Sequence, residues 1–321
     1  MLLSLFRAKR IHLMVVVACW ISIAIGSANA QQAHGAAWIK AIWADTSGGT
    51  YTTKKKSEDL VASVKANGFD HLLLQVRSGG DAFYVSDTEP LNTGIARDYP
   101  DPLQDILSQA HKGETASERL SVHAWIVPFT VSSRLSLQKP SGTHVLARHP
   151  DWLNQDRDGK TVDSEGSQNL DPGVPEVQDY IVGVVAEIVR KYPVDGIHLD
   201  RLQYPEDGRN WGYNPKAVAR FDEDLSRTGI PAPDDAQWVE WRRDQITALV
   251  RKIGETVKEI RPECIVSASV LASGPFPSSE EQFKESPTYS ELFQNWLKWN
   301  QDGLLDWCVP TIFRNQTTQG A

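Results

Sequence analysis

The residues best suited to chemistry lie in one short run, Asp195-Gly196-Ile197-His198-Leu199-Asp200. Successive side chains of a strand point to opposite faces. Ile197 and Leu199 therefore share one phase, and His198 and Asp200 share the other. The apolar phase suits packing against helices, which turns the polar phase the other way and puts Asp200 at the carboxyl end of the strand. A carboxylate in such a place is costly to desolvate unless it is paired or functional. Four other runs repeat the pattern. Gln75 and Arg77 oppose Leu72, Leu74 and Val76, while His123 and Trp125 share a phase. Trp43 with Asp45, and Ser267 with Ser269, complete the set. Carboxylates, imidazoles, an arginine and indoles thus converge on one axis, where they can move protons, pair with charges and stack on flat apolar faces. A polar network that merely fills the axis is the plain alternative, above all for Arg77, where an Arg–Asp pair would be purely structural.

These runs must be held by repeating strands and helices. Strand-like segments fall at Trp38–Asp45, His71–Ser78, Val122–Phe129, Gly196–Gln203, Ile265–Leu271 and Trp307–Phe313. Amphipathic helices lie between them. One starts at Ser57 as N-cap, carries Leu60, Val61 and Val64, and stops at Gly68. Another opens on Pro175 and bears Tyr180, Ile181, Val184, Val185, Ile188 and Val189 as one stripe. A third runs from Trp238 to Ile260 and ends before Pro262. Strands alternating with helices predict an α/β fold with parallel strands, a (β/α)8 TIM-type barrel of which six units are visible. Long polar loops, 79–102 and 130–175, follow strands. They belong at the carboxyl-end face, where barrels of this class carry their active sites. Eight units close such a barrel, so six are expected to leave unpaired edges.

The chain has 321 residues and a net charge of −8, which excludes a general nucleic-acid binder. Eleven tryptophans supply indole faces for sugar rings, although any one of them can equally be core. At the N-terminus, Arg7, Lys9 and Arg10 precede an apolar run from Ile11 to Ile25 and an Ala28-Asn29-Ala30 site. This order predicts a signal peptide over 1–30 and a mature domain over 31–321, exported and without a stable membrane span once cleaved. A lipoprotein site at Cys19 and an uncleaved anchor are the alternatives. Cys264 and Cys308 read as buried thiols, with a disulfide as the other option. No His/Cys spacing calls for a metal, and no cofactor is implied.

The ordered motifs resemble those of the glycosyl-hydrolase-like family 10 proteins. Asp195 to Asp200 with Tyr204-Pro205 is similar to that family's fourth-strand motif. Gln75-Val76-Arg77 with Gly80-Asp81-Ala82 and Tyr84 resembles the second, and His123-Ala124-Trp125 the third. Asn169 to Gly173, Trp241 to Ile246 and Gly303 to Phe313 add three more, so the resemblance covers roughly 36–315. It implies an exported barrel acting on a bacterial cell-wall glycan, peptidoglycan strands among them. Glycoside hydrolysis uses two carboxyl groups, ~5 Å apart in retaining and ~6.5–9.5 Å apart in inverting enzymes. By analogy with related barrels Asp200 is the nucleophile. Asp81 and Asp45 are the candidates for its partner, ahead of the loop acids Glu206, Glu280 and Glu281. Gln75, Arg77, His123, His198 and Arg201 are expected to bind substrate, Arg77 either through a lactyl carboxylate or by lowering the pKa of Asp200. Trp43, Tyr84, Trp125, Tyr204 and Trp211 are the expected sugar platforms. Arg201 stands where many members carry Asp or Tyr, and Thr311 and Phe313 replace a familiar Gln and Tyr. A non-catalytic glycan-binding barrel is the alternative; a deacetylase would need a metal-binding His/Asp set that this spacing lacks.

Overall fold

The computed structural model describes residues 14–17, 39–113, 115, 118–132, 142–206, 208–272 and 277–312. Trp38, Phe313 and all of the expected leader except 14–17 lie outside them. Six parallel strands form the frame: β1 (Lys40–Ala44), β2 (His71–Ser78), β3 (Ser121–Ile126), β4 (Gly196–Leu199), β5 (Ile265–Leu271) and β6 (Trp307–Thr311). They are hydrogen-bonded in that order, so each chain-neighbour is also a sheet-neighbour. The sheet curls into a half-barrel. Its curl is strong enough for the His71 ring at the start of β2 to meet the Trp307 ring at the start of β6, 5.0 Å between centroids. Met14–Val17 pairs antiparallel with the outer edge of β1.

Helices cover the outside: α1 (Lys54–Ala66), α2 (Pro102–Ala110), α3 (Pro175–Lys191), α4 (Pro215–Leu225) and α5 (Ala236–Ile260). The α1 start differs from the expected one. Thr53 is the cap, accepting from the Lys56 N–H, and Ser57 is buried inside the helix with its hydroxyl on the Tyr51 carbonyl. Pro175 opens α3 as expected, and Asp235 caps α5.

Packing follows the two phases. Ile42, Leu72, Leu74, Val122, Ala124, Ile126, Ile197, Leu199, Val266, Ala268 and Val270 are all buried on the helix side. The other phase holds His123, His198 and Ser267, which are also buried but polar. A β-bulge interrupts the alternation, because the β2–β3 register slips between Gln75 and Arg77. Arg77 therefore stands beside Ile126, which is buried on the helix side, while Gln75 stands beside Trp125. Gly196 is needed for close approach, since a Cβ there would sit 2.2 Å from Nδ1 of His123.

Candidate active site

The mouth is built from the carboxyl ends of β1 to β5. In the parallel register Gln75 stands beside Trp125, Trp125 beside His198, and His198 beside Ser267. Trp43 of β1 donates its indole N–H to Nε2 of His198 at 3.2 Å. An indole can only donate, so Nε2 is the bare nitrogen. The Ser269 hydroxyl lies 3.0 Å from the same atom, and Ser267 Oγ lies 2.9 Å from Nδ1. Burial pushes the His198 pKa down to about 3. This imidazole is therefore a neutral strut that fixes Trp43, rather than a proton carrier near neutral pH.

Asp200 follows β4 directly and is half-buried. Its backbone N–H still bonds the Ile126 carbonyl, so the ladder of β3 and β4 aims it. Oδ2 accepts from the Trp125 indole at 3.2 Å, and Oδ1 accepts from the Arg201 backbone N–H at 2.9 Å. Burial raises the pKa of this carboxyl, and the Arg201 and Trp125 donors offset part of the rise. Arg201 has φ 53°, the left-handed region that a long side chain rarely adopts. The turn is held by Gln203 N–H on the Arg201 carbonyl and by buried Leu202. The Arg201 guanidinium reaches Glu165 in the loop after β3 at 3.2 Å, with the two side chains 50% and 43% exposed. So exposed a pair contributes at most ~1 kcal/mol.

Asp81 folds back beside the end of β2, pairing with Ser78. Its carboxylate accepts from Asn92 at 3.0 Å and lies 3.9 Å from His144, and burial raises its pKa. Asp45 is half-buried at the end of β1. Gln75 takes the Thr46 N–H at 3.2 Å and the Thr46 hydroxyl at 3.0 Å, so its amide ties β2 to the loop after β1.

Other expected substrate contacts sit elsewhere. Arg77 is fully buried, and so is its partner Glu89, whose two oxygens lie 2.9 and 3.0 Å from Nε. The same guanidinium donates to the carbonyls of Val127 and Pro128, and Tyr180 donates to Glu89. Arg77 therefore locks the loop 79–102 and α3 onto β3 and offers nothing to a ligand. Tyr84 is buried edge-on against Tyr192. Tyr204 is buried edge-on against Phe293, and Trp211 is buried with its carbonyl taken by Arg242. These three aromatics are core, because the loops after the strands pack as walls. His123 lies deeper, 3.0 Å from His71 and stacked on Trp307, with burial holding its pKa well below the ordinary value. It closes the floor of the barrel. Trp43 and Trp125 remain as half-buried indoles at the mouth.

The model of the glycosyl hydrolase-like 10 family matches residues 38–321, nearly the whole frame just described. The chain belongs to this family. Among glycosyl hydrolase relatives, DigH of Escherichia coli (strain K12) is 31% identical over 266 residues, covering 77% of this chain and 55% of that protein. YngK of Bacillus subtilis (strain 168) is 28% identical over 306 residues, covering 89% and 55%. The chain thus spans about half the length of the curated relatives it matches. The glycoside hydrolase domain of PgaB from Bordetella bronchiseptica superposes with a TM-score of 0.57 at 13% identity, over 84% of this chain and 73% of that one. That likeness shows the fold, a barrel of the type glycoside hydrolases use.

Glu89, His71, Trp307 and Glu165 were not singled out by sequence reasoning. Glu89 and Glu165 are acids in polar loops, without a period to mark them. His71 and Trp307 open strands 236 residues apart by the numbering, and only closure of the curl brings them together. No group of three or more metal-ligating side chains exists among the described residues.

Proposed function

We propose that this chain is the barrel of an exported glycoside hydrolase that cleaves bacterial cell-wall glycan, specifically peptidoglycan strands, with Asp200 as nucleophile or base. The observation that carries the reading is the Asp200 carboxylate. It is half-buried at the carboxyl end of β4 and held by two N–H donors, the Trp125 indole and the Arg201 backbone. Burial raises its proton affinity, and the two donors keep the ionised form in place. Asp81 fits the proton donor, because burial raises its pKa and Asn92 orients it. Trp43 and Trp125 supply the stacking faces. Export is supported by the basic, apolar, Ala-x-Ala order of the N-terminus. Together with the family, export favours the polymer outside the membrane as substrate.

Purified sacculi, and glycan strands stripped of peptide, incubated with the protein and separated by chromatography, are expected to yield fragments with new reducing ends. Retained binding to the strands with no release of fragments would overturn hydrolysis and establish a glycan-binding barrel instead.

A further inference from the structure

We infer that Arg201 is the acid-reading residue of this mouth: a carboxylate borne by the glycan replaces Glu165 on its guanidinium and sets the sugar beside Asp200. The inference rests on the hydrolase reading for its substrate class and deepens it. Sequence alone offers Arg77 as the cation for an acidic sugar, but that guanidinium is fully buried and bound to Glu89 and two carbonyls. Arg201 is half-exposed, and its ion pair with Glu165 is open to water and to exchange. An incoming carboxylate can take the planar fork of the guanidinium with two parallel bonds, which a lysine cannot offer in the same way.

The backbone gives Arg201 its place in the reaction. The left-handed turn at φ 53° lets its own N–H hold Oδ1 of Asp200 at 2.9 Å. The residue that would read the acid is therefore covalently next to the reactive carboxylate and hydrogen-bonded to it. A strained position of this kind at a strand end persists only where the surroundings impose it, and such positions gather at working sites. The chain as a whole is acidic, at net −8, so an acidic polymer needs a local cation in order to approach Asp200. Glu165 screens that cation until a ligand carboxylate displaces it.

The test uses the full chain and four probes, each measured for Kd and for kcat/KM. The first probe is peptide-free glycan strands with their lactyl carboxylates, and the second is the same strands with the carboxylates converted to amides. Polyuronate oligomers are the third and neutral chitin oligomers the fourth. The wild type is expected to prefer the acidic strands to the amidated ones. Arg201→Asn removes the charge but tolerates the left-handed turn, so the Asp200 bond survives, and the preference is expected to fall about tenfold. Arg201→Lys should restore part of it. Glu165→Gln should raise it roughly twofold, since the competing anion is gone. Polyuronate binding with the same Arg201 dependence would support the carboxylate chemistry and assign it to uronic acids. An unchanged preference in Arg201→Asn, or an equal loss on acidic and amidated strands, would overturn the inference. Absence of turnover on every probe would contradict hydrolysis, while the Kd ratio of acidic to amidated strands would still judge Arg201.

Discussion

Two arginine–glutamate pairs flank the same barrel end and do opposite work. Arg77 and Glu89 are fully buried, whereas Arg201 and Glu165 are 50% and 43% exposed. In the buried pair the low dielectric makes each charge dependent on the other, and Nη1 of Arg77 donates to two backbone carbonyls. In the exposed pair water already solvates both ions, so the bond is weak and exchangeable. The first pair is a fastening between β2, the loop 79–102 and α3. The second is a surface that a ligand can take over. Residue type is the same in both; burial alone separates scaffold from site.

The largest effect is expected from breaking the buried pair on one side. Glu89→Ala leaves the Arg77 charge uncompensated in the core and should cost about 3–5 kcal/mol of unfolding free energy, read by denaturant titration. A cost below ~1 kcal/mol would erase the contrast with the exposed pair.

Asp171 sharpens the comparison, being a buried carboxyl whose bonds run to backbone N–H groups of Gly173 and Asn214 rather than to a guanidinium. Burial pushes its pKa up to about 6, above the ordinary value of 3.8. Because the folded value is the higher one, its stabilising share is complete below the unfolded pKa and is lost as pH rises through about 6. About two pKa units correspond to ~3 kcal/mol. Between pH 3 and about 7.5 the wild type should lose up to about that much stability relative to Asp171→Asn. Parallel pH profiles for the two proteins would contradict this account of burial.

The smallest effect is expected at the exposed pair. Glu165→Gln should change stability by no more than ~1 kcal/mol, and by less still in high salt. A larger, salt-insensitive loss would place this pair with the buried one.

Much of the frame was legible in the sequence. His71–Ser78 and Ile265–Leu271 are strands with the expected ends, because each is a short, mostly apolar run whose internal polar residues fall in one phase. The two phases of Ile197 and Leu199 against His198 and Asp200 hold for the same reason. The reading failed at Arg77, where a bulge breaks the period and the partner Glu89 arrives from a loop. It failed at Tyr84, Tyr204 and Trp211 because an aromatic in a polar loop carries no mark of whether that loop packs. Glu165 looks like any solvated acid until the left-handed turn at Arg201 is known. The His71–Trp307 contact depends on closure across the axis, which no local pattern encodes.

The central claim is that glycan cleavage depends on the Asp200 carboxylate at the mouth, and one comparison tests it most directly. Wild type and Asp200→Asn are incubated with peptide-free peptidoglycan strands, and the rate of new reducing ends is measured together with strand binding and thermal unfolding. The substitution keeps the shape and removes the charge, so turnover should fall by roughly three orders of magnitude or more while binding and folding are retained. Equal rates of release from the two proteins would remove Asp200 from the chemistry and contradict the account.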